Sequence, residues 1–312
     1  MQIIATAGIP RFLADTGDSD LIFGTLAAAG ISLIMPISLY EEVPAPADSG
    51  HSVAFYPPPY GTADAAFYAA MVANGVRLII PADVLYSGGV GALADDPLAA
   101  IIALVPPGLV YGVYNYDEPA HNGIPVASSQ AVYERVKEIN PSLPILQVHA
   151  ILPEAEDPAP MLAQALLHSQ WADVVGWSIY PEGPINRGAP TPTSGGEWVE
   201  PIAALRAYDD WLNENLPGKQ HMAVLQGFSL ADMYSDALIA TFDPALIAAT
   251  RAPTYDEHLA MTPSGLDMLV WYGPSYVDDP ATWQTTLDVS KHWAAWKKPE
   301  GRKRGRGRWK RG

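Results

Sequence analysis

The chain has 312 residues, 49% of them hydrophobic and 17% charged, with a formal net charge of −16 and no cysteine. So much apolar residue with so little charge excludes a disordered body, and the length suits one large domain or two modest ones. Disulfides, zinc–thiolate centres, iron–sulfur clusters and cysteine nucleophiles are excluded, and no apolar run reaches the roughly 18 residues of a membrane-spanning helix.

The start, Met1-Gln2-Ile3-Ile4, has no basic n-region, so no secretory signal is expected. That fits a cytoplasmic, leaderless or phage-encoded protein and leaves the compartment open. Eight short apolar segments then recur: Ile3–Ala7, Ile31–Pro36, Val76–Ile80, Leu109–Val113, Ile145–Val148, Val174–Ile179, Met222–Leu225 and Leu266–Trp271. Near-continuous apolar runs suit parallel strands buried on both faces. Helical patterns lie between them: Asp18–Ala29, Thr62–Asn74, Pro97–Leu104, Ser128–Ile139, Pro160–Trp171, Val199–Asn215, Thr254–Met261 and Pro280–Trp296. Acidic or Thr caps open several of these helices, Pro stands in the first turn of others, and Gly30 and Gly75 sit where a C′ glycine is wanted.

Eight β-then-α units predict an α/β fold, a single (β/α)8 barrel over residues 1–296. A doubly wound sheet is the alternative, but it would show fewer strands, and no G-x-G-x-x-G or Walker sequence occurs. Nine of the 18 basic residues fall in 297–312, leaving residues 1–296 at a net −24. Such a body repels nucleic acid and anionic membrane. The tail has almost nothing to bury and is expected to be disordered: a weak polyanion or nucleic-acid contact, or a mere solubilising end.

Chemistry in such a barrel collects at the C-terminal ends of the strands. Those ends supply Asp83; Asn115, Tyr116, Asp117 and Glu118; Gln147 and His149; Trp177, Tyr180 and Glu182; Gln226; and Trp271. Aromatic faces stack on sugar rings, and amides and carboxylates bond hydroxyls, so the set predicts a cleft for a neutral carbohydrate. A phosphate site would want basic side chains or a glycine-rich helix start, and there is little of either. Two long segments could wall the cleft: Val43–Tyr60, with Tyr56 and Tyr60, and Pro184–Trp198.

The sharpest local feature is Val113-Tyr-Asn-Tyr-Asp117-Glu118-Pro119. It resembles the glycoside hydrolases built on (β/α)8 barrels, many of which carry Asn-Glu-Pro or Asp-Glu-Pro at the end of strand 4. Tyr180-Pro181 after strand 6 and Trp271 in strand 8 extend the resemblance, which as an architecture spans about residues 1–296. It implies that Glu118 is the general acid/base. Burial near Tyr114, Tyr116 and Asp117 would raise its carboxyl pKa, as proton donation near neutrality requires. Asn115, Asp117, Gln147, His149, Trp177, Tyr180, Gln226 and Trp271 would hold the sugar. Asp117, taken as pointing to the opposite side from Glu118, is not expected to pair with it.

One departure from the pattern matters. The strand-7 nucleophile of the best-known clan would fall at Gln226, and an amide cannot serve. Either the second carboxylate comes from elsewhere, with Asp83 and Glu182 leading and Glu41 and Glu42 behind, or the reaction is inverting or substrate-assisted with Gln226 orienting a water or a substrate group. Otherwise the barrel binds a glycan without cleaving it. No metal or cofactor is expected. Glu118-Pro-Ala-His121 has di-iron spacing, but Pro119 argues against the helix that such a site needs, and no G-x-S-x-G elbow occurs.

Overall fold

In a computed structural model, the structure describes residues 3–35, 65–86, 88–92, 95–150, 158–178, 189–194, 198–199, 201–229, 252–261, 266–274, 277 and 279–295. The tail 297–312, Glu41, Glu42, Tyr56, Tyr60, Tyr180 and Glu182 lie outside them. In chain order the elements are β1 (Ile3–Ala7), α1 (Arg11–Ala14), α2 (Ser19–Ala28), β2 (Leu33–Met35), α3 (Ala65–Ala73), β3 (Arg77–Pro81) and α4 (Ala82–Leu85). Then come α5 (Pro97–Leu104), β4 (Val110–Tyr114), α6 (Val126–Ile139), β5 (Ile145–Ala150), α7 (Ala159–Ser169) and β6 (Val174–Ser178). A two-residue antiparallel pair follows, β7 (Ala189–Pro190) with β8 (Trp198–Val199). The chain continues through α8 (Pro201–Asn215), β9 (Gln220–Gln226), α9 (Tyr255–Met261), β10 (Met268–Tyr272) and α10 (Pro280–Ala295).

Each of the eight apolar segments forms a parallel strand, and β1 pairs with both β2 and β10, so the sheet closes into a barrel. Closure excludes the doubly wound alternative and confirms the single (β/α)8 barrel. The helix signals act locally as predicted. Asp18 accepts from the Leu21 N–H at 3.0 Å and Asp96 from the Ala99 N–H at 3.0 Å, each satisfying a donor that the first helical turn leaves orphaned. Gly75 takes φ +68° after α3, a conformation that a Cβ disfavours.

Two apolar layers result. Leu33, Ile79, Leu146, Val174, Met222 and Met268 fill the barrel. Ile4, Ile34, Val113, Val175, Leu225 and Leu269 face the helices. Burying each such side chain stabilises by about 1.5–3 kcal/mol. Among the described residues four histidines are buried, His149, His168, His221 and His258. Desolvation, together with the charge of His168, pushes His149 down to about 3, and desolvation pushes His258 down to about 4. Ser169 gives its hydroxyl hydrogen to the Ala165 carbonyl, so His149 Nε2, 2.9 Å from Ser169 Oγ, must carry the hydrogen of a neutral ring.

A pH dependence follows. Both folded pKa values lie below the ordinary value near 6.5, so the unfolded chain takes up protons first as pH falls. The stability is complete above about pH 6.5 and is lost as pH falls toward 4. At pH 5 each histidine costs about 2 kcal/mol. In paired urea denaturations, the stability of wild type relative to His258→Asn should fall by about 2 kcal/mol between pH 7 and pH 5. An unchanged difference would mean that His258 is charged in the native state.

Candidate active site

The centre of interest is the turn that leaves β4. Leu78 of β3 pairs with Val110, but Ile79 pairs with Gly112, so Tyr111 is an extra residue on β4. Such a bulge shifts the inward–outward alternation by one. Tyr114 then joins the barrel interior and Asn115 turns outward, where its amide donates to the carbonyls of Ser129 and Trp171, both at 3.3 Å. Asn115 Oδ1 accepts the Tyr116 N–H at 2.9 Å, and Gln147 Nε2 donates to the Tyr116 carbonyl at 2.7 Å. Both backbone groups of Tyr116 are thus held by buried side chains, immediately before Asp117-Glu118. Among the described residues, Glu118 is the one non-glycine residue with positive φ, at 41°. Backbone held in the left-handed region by a non-glycine residue is strained, and such strain clusters at functional sites.

Two hydroxyls meet the two carboxyls. Ser178, the last residue of β6, donates to Glu118 Oε1, and its Oγ also lies 3.4 Å from the His149 carbonyl oxygen. Tyr114 donates to Asp117 Oδ1 at 2.6 Å. Desolvation raises Glu118 above the usual carboxylate range, and the Asp117 charge adds to this; Ser178 and His121 oppose it. Asp117 keeps a face open to solvent, yet the protein around it desolvates its carboxyl and raises it too, against the Tyr114 bond and His121. The two carboxyls lie beyond the strand, in a turn, so strand alternation does not separate them, and the Asp117 charge acts on Glu118. Asp83 stands in α4, directly after β3. Burial raises the Tyr116 phenol and the Asp83 charge raises it further, so Asp83 lies near that phenol.

Several residues expected to hold a sugar are placed elsewhere. Trp177 packs on Tyr208 and Trp211 of α8 with ring centroids 4.6 and 5.4 Å away, and His149 stacks behind it at 5.2 Å. Trp271 donates to Ser290 Oγ of α10 at 2.8 Å and meets His258 edge-on. Asn115 and Gln147 bond backbone, as above. All five are buried between the sheet and the helices, because they occupy outward positions of their strands. Gln226 continues the inward parity of Met222 and Val224, and its amide donates to the Phe228 carbonyl at 2.7 Å. Ser178 was missed. Counting by two from Val174 through Gly176 would have put Ser178 inside and Trp177 outside.

A depression of about 400 Å3 lies between Tyr86, Gly89–Gly91, Asp96 and Arg135. Asp96 there accepts from Arg135 Nε at 2.7 Å and caps α5, so its polar groups are engaged in structure. Among the described residues no cluster of His, Asp and Glu is arranged to hold a metal ion, and no helix is long and apolar enough to cross a membrane.

The clamp on Tyr116 is open to test. Gln147→Met keeps the volume and removes the donor, leaving a buried carbonyl short of its partner. The cost should be about 1–3 kcal/mol in urea denaturation. Unchanged stability would mean that the Tyr116 carbonyl is satisfied without Gln147.

No protein-family profile and no curated protein sequence matches the chain. Solved structures resemble it in fold. The polyextremophilic β-galactosidase of the Antarctic haloarchaeon Halorubrum lacusprofundi superposes with a TM-score of 0.56 at 10% identity, covering 95% of this chain and 58% of that one. The β-galactosidase of the psychrophilic Marinomonas ef1 gives 0.52 at 10% identity, covering 92% and 59%. The C-terminal domain of a protein assigned as a chitinase, from Desulfitobacterium hafniense DCB-2, gives 0.50 at 9% identity, covering 94% and 99%. The chain spans about three fifths of the two β-galactosidases. At these identities the likeness is one of fold, the closed parallel barrel.

Proposed function

We propose that the chain is a glycoside hydrolase acting on an oligo- or polysaccharide, with Glu118 as general acid/base. The observation that carries this reading is Glu118 itself: a carboxyl at the β4 exit, held at positive φ, raised by desolvation, and bonded across the mouth to Ser178. A raised carboxyl is what protonation of a glycosidic oxygen near neutral pH requires. Asp117 beside it accepts a substrate hydroxyl. Asp83 is the candidate for the second carboxylate within the described residues, and Glu182 is the candidate beyond them. A separation from Glu118 of about 5 Å would give retention, and about 6.5–9.5 Å inversion. Asn115, Gln147, His149, Trp177 and Trp271 support the mouth from behind, while Tyr180 and Gln226 remain candidates for sugar contact. The barrel is taken to end near 296, with the basic segment 297–312 as a weak polyanion-binding tail.

One observation favours a second reading, a barrel that binds glycan without cleaving it. The amide of Gln226 is buried and engaged with its own turn at the seventh barrel strand. Reducing-end release from a panel of polysaccharides, by wild type and Glu118→Gln in parallel, separates the two. Release by wild type alone supports hydrolysis through Glu118. Equal release by both removes Glu118 from the mechanism, and binding without release by either selects the second reading.

A further inference from the structure

Glu118 leaves the turn after β4, yet its carboxyl meets the last residue of β6. In the barrel β5 lies between those two strands, so the side chain reaches over one strand end to make the contact. Ser178 is placed for it by the sheet. It pairs with Ala150 in the β5–β6 ladder, it is almost fully buried, and it follows Val174 and Gly176 by the strand's count of two. Its hydroxyl has one hydrogen and two oxygens in range. The His149 carbonyl oxygen, at 3.4 Å, is far for an O–H donor, whereas Glu118 Oε1 is close. The hydrogen therefore goes to Oε1. Among the described residues, nothing bonds Oε2.

We propose that Ser178 is the positioning residue of this site: by occupying Oε1 it places the acid proton of Glu118 on Oε2, the oxygen left open. A neutral carboxyl carries its proton on one oxygen, and an oxygen that already accepts a hydroxyl hydrogen is the poorer place for it. The bond holds in both states. It runs to a carbonyl oxygen when Glu118 is protonated and to a charged oxygen when it is not, so the carboxyl keeps its direction as the proton leaves and returns. The charged oxygen is the stronger acceptor, and Ser178 accordingly lowers the carboxyl against the larger effect of desolvation. Of the charged groups, Asp117 raises Glu118 and His121 lowers it, both from the same turn, and Asp83 of α4 acts on Tyr116 beside them. The role in turnover rests on the hydrolase reading, whereas the proton placement does not. In that reaction the proton passes from Oε2 to the glycosidic oxygen. The C–O bond breaks with its electron pair on that oxygen, and water or the second carboxylate takes the sugar carbon.

The test compares Ser178→Ala with Ser178→Thr, which restores a hydroxyl on a side chain suited to a strand. In carboxyl-carbon NMR titrations of the whole chain, the Glu118 transition should move up by about one pH unit in Ser178→Ala and stay near wild type in Ser178→Thr. The infrared C=O stretch of protonated Glu118, isolated by difference against Glu118→Gln in each background, should rise in Ser178→Ala, because Oε1 loses a hydrogen bond. If the hydrolase reading holds, the alkaline limb of the pH–rate profile moves up with the titration, and kcat falls about tenfold while KM stays within about twofold. A Glu118 transition that does not move in Ser178→Ala, an unchanged C=O stretch, or a Ser178→Thr that behaves as Ser178→Ala overturns the proposal. Failure of the hydrolase reading appears separately, as absent turnover in wild type with the titration and infrared results intact.

Discussion

Glu118→Gly should make the protein more stable and inactive. The gain comes from the backbone. A side chain at φ 41° costs about 1 kcal/mol that glycine does not incur, partly offset by the greater freedom of glycine in the unfolded chain. A second gain comes from charge. Desolvation and the Asp117 charge raise the Glu118 carboxyl, so the folded state takes up its proton more readily than the unfolded state. That contribution favours folding at low pH and is lost as pH rises through the folded value. At neutral pH the ionised carboxyl therefore strains the fold, and removing it helps. The lost Ser178 bond subtracts little, because Ser178 can turn to the His149 carbonyl. The net gain should be about 1 kcal/mol, roughly a 2 °C rise in Tm for a domain of this size. Loss of a general acid should lower turnover by about 10²–10⁴-fold. Calorimetry and reducing-end assays on the same preparation test both parts. Lower stability at pH 7 would mean that Glu118 holds the turn together, and would remove the argument that its geometry is kept for function.

The barrel is legible in the sequence because its signals are local and redundant. Asp18, Asp96 and Gly75 punctuate helices whatever lies around them, and eight apolar segments at regular intervals leave few ways to close a sheet. Which side each strand presents to the mouth is another matter. Strands buried on both faces are apolar on both faces, so alternation carries no contrast. Trp177 and Trp271 look like sugar platforms, yet they are helix-layer core, with Tyr208, Trp211 and Ser290 as partners. In β4 the extra residue Tyr111 also shifts the parity, and the one cue to a bulge in the sequence is Gly112 beside it. The Asp-Glu-Pro turn was visible as a motif, but its two hydroxyl partners were not. Ser178 comes from a strand 60 residues away, and only the closed barrel brings it to Glu118.

Gly176→Ala should unfold or severely destabilise the chain. A Cβ built there lies 2.3 Å from the Met222 carbonyl oxygen and 2.5 Å from Met222 Cγ. The Met222 side chain could swing aside, but the carbonyl belongs to β9 and is fixed by the ladder in which Gly176 pairs with Met222. Relief therefore requires β6 and β9 to part, and in a closed barrel a local separation is passed on to the neighbouring strands. The cost should be about 3 kcal/mol or more, at least 6 °C in Tm. Gly75→Ala is the informative comparison. Its φ of +68° strains any side chain, but nothing lies within 4 Å, so it should cost only about 1 kcal/mol. Gly176 also stands two residues before Ser178, on the same face of β6. A chain that survives the substitution by shifting β6 would carry Ser178 away from Glu118, so any turnover should fall further than the folded fraction does. Near-normal stability of Gly176→Ala would show that β6 and β9 are less tightly joined than this register requires, and that the seat of Ser178 is not set by it.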